Sequence, residues 1–214
     1  MADDLIPIND EQAKAIQEAA KTATKALELT EKAGAYVGSV LGTVPADLIA
    51  VLGGDWLGQV RIRNLARYQD RTEEILRARG VTETSAVSPS LAVPLLRAAA
   101  DESREDLQEL WALLLAAAMD PKRSNRVRLS YIETVKRLHP LDAHILKKLY
   151  DTSGTPSPNA RDFLAGFFKV SSREIEVSVL NLHDLKCVHL PISNETANFH
   201  MTSYGNELVR ACSN

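Results

Sequence analysis

Lys122, Arg123, Arg126 and Arg128 crowd into the run from Pro121 to Arg128, and cations at that density can hold an anion, either a phosphate-bearing ligand or a nucleic-acid backbone. Lys136, Arg137, Lys147 and Lys148 follow, and between 122 and 148 only Glu133 and Asp142 oppose them. A basic loop without interleaved aromatics is weak support for nucleic-acid binding. The favoured expectation is therefore pairing within the chain, with the acidic start of a helix at 101–106 and with the acids near the N-terminus.

Other reactive residue types do not converge. Asp142 and His144 are two apart and His183 adjoins Asp184, so neither pair shares a helix face. His189 and His200 fall on two expected strands and can face each other, but no third ligand is in sight, so hairpin packing is the better reading of them. His139 precedes Pro140 as a helix-terminus residue. The only cysteines are Cys187 and Cys212, expected half-buried and at a fraying end respectively, and they exclude a zinc site of the paired CxxC type. No phosphate-cradling glycine loop, nucleophile elbow, zinc-protease helix or dinucleotide fingerprint is present. No catalytic residue, cofactor or metal ligand is assigned, and the chain is expected not to be an enzyme.

A third pattern concerns packing. Thr22, Ala26, Thr30, Gly34, Gly38 and Gly42 place a small residue at every fourth position, a smooth stripe along which another backbone can approach. Gly34, Gly38 and Gly42 open a stretch, 33–60, whose only charges are Asp47 and Asp55. The leading expectation is an apolar, glycine-rich helical hairpin packed on the rest of the fold. The competing one is a segment that leaves the fold and enters a membrane, although its aspartates and glycines suit a bilayer-spanning helix of about 20 residues poorly.

These groups need a scaffold, and the clearest part of it is Asp101 to Pro121. Leu107, Leu110, Trp111, Leu114, Leu115 and Ala118 recur at helical spacing, and no side chain from Ala112 to Met119 is polar, which marks a helix buried on all sides. Ser103 with Asp106 can cap its start, and Pro121 closes it. Before it, strong helix formers run from Glu11 to Lys32, and Pro45 starts a segment through Leu52. Gly53 to Asp55 form a turn, and a helix from Trp56 to Gly80 carries Arg61, Arg63, Arg67 and Arg71 as a solvated or ion-paired face. A linker at 81–90 leads into a helix from Ser90 to Ala100, interrupted or begun near Pro94. Beyond the central helix, Ser130 is expected to cap a helix to Leu138, and Pro140 to start another through Tyr150.

The run from Asp151 to Pro158 is the best domain boundary. After it come a helix from Asn159 to Phe168 and a second begun by a Ser171–Glu174 capping box. Strands at 187–192 and 198–201 follow, then a last helix capped by Thr202. The fold expected is mainly α: a multi-helix bundle over 1–152, followed by a small winged-helix-like module with a short β-hairpin over 155–214. The second helix of that module has Arg173 and Lys186 against Glu174, Glu176 and Asp184, so packing or protein interaction suits it better than DNA.

The 214 residues carry a net charge of -3 with a pI near 6.0, which gives no global attraction to nucleic acid or anionic membrane. The acidic opening lacks the basic, then apolar, pattern of a secretory leader, so a cytoplasmic location is expected.

GDWLGQVRIRN at Gly54 to Asn64, LQELWALLLAAAMDP at Leu107 to Pro121, LHPLDAHIL at Leu138 to Leu146 and MTSYGNELVRAC at Met201 to Cys212 together resemble the Abi-alpha (abortive infection alpha) family of bacterial proteins. The resemblance implies a role in phage defence and carries no catalytic residues with it. The expectation that follows is a non-enzymatic effector or sensor of abortive infection, cytoplasmic and membrane-associated when activated. Its trigger would be a phage-encoded or host protein, its assembly a homo-oligomer, and its output membrane damage through the glycine-rich segment. The alternative is a regulatory protein that binds nucleic acid through the basic 122–148 region and the C-terminal module.

Overall fold

Alanine, glutamate, lysine and leucine favour helix, and they build α1 (Asp10–Leu41), which runs on through Gly34 and Gly38. The computed structural model describes residues 10–42, 56–152, 160–190 and 199–213. Each glycine inside a helix costs about 1 kcal/mol relative to alanine. Burial of Ala33, Tyr36, Val37, Val40 and Leu41 offsets that cost. Gly42, at φ 73, ends the helix in the left-handed conformation.

The small-residue stripe is not one continuous contact. Thr22 and Ala26 are exposed, Gly34 is buried, Gly38 is half-buried and Gly42 is exposed. Thr22 and Thr30 turn their hydroxyls back to the carbonyls of Glu18 and Ala26, at 2.8 and 2.9 Å.

The next described helix, α2 (Trp56–Ala78), runs in the same direction as α1. Lys32 pairs with Asp70 at 2.6 Å, and one turn further on Tyr36 shares a buried hydrogen bond of 2.9 Å with Thr72. Of the expected hairpin over 33–60, Ala33 to Leu41 completes α1 and the residues from Trp56 open α2, parallel to it. The expected helix from Pro45 and the turn at Gly53 to Asp55 lie outside the described residues. Gly80, at φ 69, closes α2. The Val81 amide donates to Leu76 O at 2.9 Å and the Gly80 amide to Arg77 O at 3.0 Å, the paired bonds of a glycine-terminated helix.

α3 (Pro89–Asp101) returns with Pro94 inside it, uninterrupted. α4 (Glu105–Met119) then passes through the middle of the molecule. Every residue from Trp111 to Asp120 is buried, as a helix without a polar face requires. Its start differs from expectation, because Asp101 belongs to the end of α3 and the Ser103–Asp106 box does not form. Glu102 organises that corner instead. Its carboxylate accepts the Arg104 amide at 2.9 Å and two guanidinium nitrogens at 2.8 Å. Burial pushes this carboxyl up, but the bonds and charge of Arg104 and the Trp111 indole outweigh it, holding Glu102 below its ordinary range.

A 3-10 turn at Ser124–Arg126 leads to α5 (Leu129–Arg137) and α6 (Pro140–Asp151). Ser130 lies within α5 and does not cap it; its carbonyl accepts the hydroxyls of Thr134 and Tyr204, each at 3.0 Å. At the head of α6, Asp142 takes the His139 amide at 2.7 Å.

α7 (Ala160–Phe168) and α8 (Ser172–Asp184) follow, and the reciprocal Ser171–Glu174 box forms as expected, with bonds of 3.2 and 2.9 Å. β1 (Val188–His189) pairs antiparallel with β2 (His200–Met201), setting His189 opposite His200. Thr202 caps α9 (Ser203–Ala211) by accepting the Gly205 amide at 3.0 Å. Residues 153–159, most of the expected boundary, and 191–198, the expected hairpin turn, lie outside the described residues.

Buried side chains form one cluster from Ala33 in α1 to Cys212 beyond α9. α9 presses Leu208 and Val209 toward Leu110, Val135, Leu138 and Leu146, leaving a gap of about 30 Å³. Tyr204 meets Tyr131 edge to face, with centroids 5.4 Å apart. Both cysteines are buried, which corrects the half-buried and fraying placements. Burial pushes each thiol up to about 12, leaving them unreactive near neutrality.

Candidate anion site

α1, α2 and α4 all end at the same side of the molecule. Val87 N donates to Val40 O at 2.7 Å and Ser85 N to Met119 O at 2.9 Å, so the 81–88 connection ties those ends together. Helix C-termini attract cations, and this end supplies them. Arg79 follows the last turn of α2; Lys122 and Arg123 follow the last turn of α4. They line an open cleft of about 510 Å³ with Gly80, Thr82, Glu83 and Asp120.

Arg79 Nη2 and Arg123 Nη1 both donate to the carbonyl oxygen of Ser213, each at 2.8 Å. Two guanidinium groups, far apart in sequence, thus share one neutral acceptor. Buried Asp120 is their nearby carboxylate: its Oδ2 lies 3.7 Å from Arg123 Nε, and its Oδ1 accepts the Lys122 amide at 2.9 Å. Arg79 Nε and Nη1 are buried without a hydrogen-bond partner among the described residues. Burial lowers the Arg79 pKa, Arg123 lowers it further, and Asp120 only partly restores it. Nothing in the sequence pattern set Arg79 apart, because it lies beyond the face shared by Arg63, Arg67 and Arg71.

Of the expected internal pairing of the basic loop, the described residues hold only part, and the N-terminal acids Asp3 and Asp4 lie outside them. Among the described residues the ion pairs include Arg123 but not Lys122, Arg126 or Arg128. Lys122 and Arg128 are exposed and Arg126 is half-buried. Of the acids at 101–106, Asp101 meets Arg61, Glu102 meets Arg104 and Asp106 lies 3.5 Å from His144; further along α4, Arg71 grips Glu109 through two bonds of 2.7 Å. Further along the basic region, Lys136 pairs with Glu133, Lys147 with Asp151, and Lys148 sits 4.0 Å above the Phe167 ring.

The arginine face of α2 is part ion-paired and part solvated, as expected, with Arg63 exposed. Arg61 meets Asp101 at 2.6 Å, Arg67 bonds Gln108 at 3.1 Å, and Arg71 adds Glu74 at 2.8 Å to its grip on Glu109. These bonds raise the Arg71 pKa, Glu109 most of all. They align α2 with α4 and occupy Arg61 and Arg71.

The remaining candidates stay dispersed. His189 and His200 are opposed and both exposed. No group of three or more His, Cys, Asp or Glu suited to a metal gathers among the described residues. No helix among them is long and apolar enough to cross a membrane.

No curated protein and no solved structure matches the chain. The profile of the family described as abortive infection alpha matches residues 61–212, from the first turns of α2 through α9. That span covers most of the bundle, the arginine cleft and the hairpin, and the chain belongs to the abortive infection alpha family.

Proposed function

We propose that this protein is a non-enzymatic effector or sensor of abortive infection that works by binding and rearrangement. The observation that carries the reading is the family match over 61–212. On this reading it waits in the cytoplasm, is triggered by a phage-encoded or host protein, and acts as a homo-oligomer. The order of α7, α8, hairpin and α9 is read as a winged-helix-like module over 155–214 that serves protein contact, set after the bundle over 1–152.

Membrane damage is the output we favour, through the apolar 33–60 stretch. Gly34 is buried and Gly38 half-buried in the resting fold, so this route requires the end of α1 to leave the bundle. The experiment is expression in a susceptible bacterium challenged with a phage panel, with survival and membrane potential followed together. Protection should coincide with depolarisation, and Gly38→Leu, a bulky residue on the packing stripe, should abolish both while helical circular dichroism persists. Wild-type protein that protects against none of the phages counts against defence. Unchanged plating by the Gly38→Leu strain counts against the membrane route alone.

A second reading, nucleic-acid regulation, draws on Lys122, Arg126 and Arg128, which the internal ion pairs leave aside. It predicts a DNA or RNA mobility shift that weakens steeply with salt and is reduced in an Arg126→Gln, Arg128→Gln double variant. An absence of binding at low salt ends it.

A further inference from the structure

The cleft between the ends of α2 and α4 holds two arginines whose charge is poorly answered. Arg79, Lys122 and Arg123 line it against Asp120 and Glu83, and the acceptor that both guanidinium groups share, the Ser213 carbonyl, is neutral. Arg79 has two further buried nitrogens, Nε and Nη1, without a partner among the described residues. Buried donors are almost always paired in native proteins, and guanidinium bonds to phosphoryl oxygens are markedly stronger than those to a neutral carbonyl. The volume, about 510 Å³, falls in the range of small-molecule sites.

We propose that this cleft binds a small phosphoryl anion, a phosphate or diphosphate group of a soluble ligand, on Arg79 and Arg123. The anion takes the place of the Ser213 carbonyl on the two guanidinium groups, and Lys122 adds charge at the rim. Occupation therefore loosens the segment after α9 from the ends of α2 and α4. The site stands apart from the defence reading, since it needs neither a phage trigger nor a membrane.

The test is calorimetric titration of the full chain with inorganic pyrophosphate at fixed ionic strength, with chloride as the control anion. Saturable binding is expected, weakened about tenfold or more in Arg123→Gln and in Arg79→Gln, the loss of one charge-assisted bond. Arg126→Gln and Arg128→Gln, which lie outside the cleft, should bind as wild type does. Circular dichroism establishes that each variant is folded; should Arg79→Gln fail to fold, Arg123→Gln decides. Lack of saturable binding by wild type at about 10 mM pyrophosphate, well above a millimolar Kd, overturns the proposal. Undiminished binding by folded Arg123→Gln overturns it equally, as does equal weakening by Arg126→Gln.

Discussion

Replacing Trp111 with alanine should destabilise the protein by about 3–5 kcal/mol, the range for removing a large aromatic from a packed core. The indole is 1% exposed, in the middle of α4. The loss has two parts: the apolar surface itself, and the void that neighbours on α2 and α3 cannot close because their own positions are fixed by Asn64 and Glu102. Asn64 Nδ2 donates to the carbonyls of Ala100 and Glu102 at 2.9 and 3.1 Å, pinning the α3–α4 corner to α2. The indole nitrogen lies 3.5 Å from Glu102 Oε2, a contact at the outer limit of a hydrogen bond and a minor part of the effect. Thermal melting should fall by about 6–20 °C for a chain of this size. A change of less than about 2 °C would mean that α4 is not the core.

Gly205→Ala should be nearly as damaging, although it adds a single methyl group. A Cβ at this position would lie 2.2 Å from the backbone oxygen of Cys187. That oxygen cannot swing aside, because it accepts the Thr202 amide at 3.0 Å and the Thr202 hydroxyl at 3.2 Å. The first turn of α9 and the start of β1 must therefore separate, at a cost of about 3 kcal/mol, the upper end of ordinary overpacking. Gly166→Ala is the matched control. Its Cβ meets nothing within 4 Å, and alanine inside a helix should leave stability unchanged or raise it by up to about 1 kcal/mol. Chemical denaturation of the two variants side by side reads the difference; equal midpoints would show that β1 and α9 do not meet closely.

Much of the helical frame was legible because its signals are local. The apolar periodicity of Leu107 to Met119, the Ser171–Glu174 box, the Thr202 cap and the glycine stop at Gly80 each depend on residues within one or two turns. The pairing of His189 with His200 followed from two short extended runs on either side of a turn-rich stretch. Starts were harder to read. Asp101 to Asp106 looked like one helix entrance, yet the chain bends at Glu102 because Arg104 and Asn64 give its carboxylate and carbonyl better partners than a continued helix does.

Direction was less legible still. The contacts of Lys32 and Tyr36 with Asp70 and Thr72 make α1 and α2 parallel, which no periodicity within either helix encodes. The basic loop was visible as composition, but Arg79 reaches it only through the fold, across an interval that no periodicity spans. Burial of Cys212 was missed for a similar reason: proximity to a chain end favours fraying, and only the packing of α9 on α4 and α6 overrules it.

α1 is a helix of 32 residues, about 48 Å long at 1.5 Å per residue, and every residue from Gln17 through Glu28 is exposed. Its two halves consequently belong to different cooperative units. Amides beyond Ala33 open only when the bundle does, whereas those before Glu28 exchange with solvent through local melting of an almost isolated helix, whose formation is marginal at that length. A partner that grasps the outer half would order it without disturbing the core, and its affinity would be reduced by the fraction of time that half is melted.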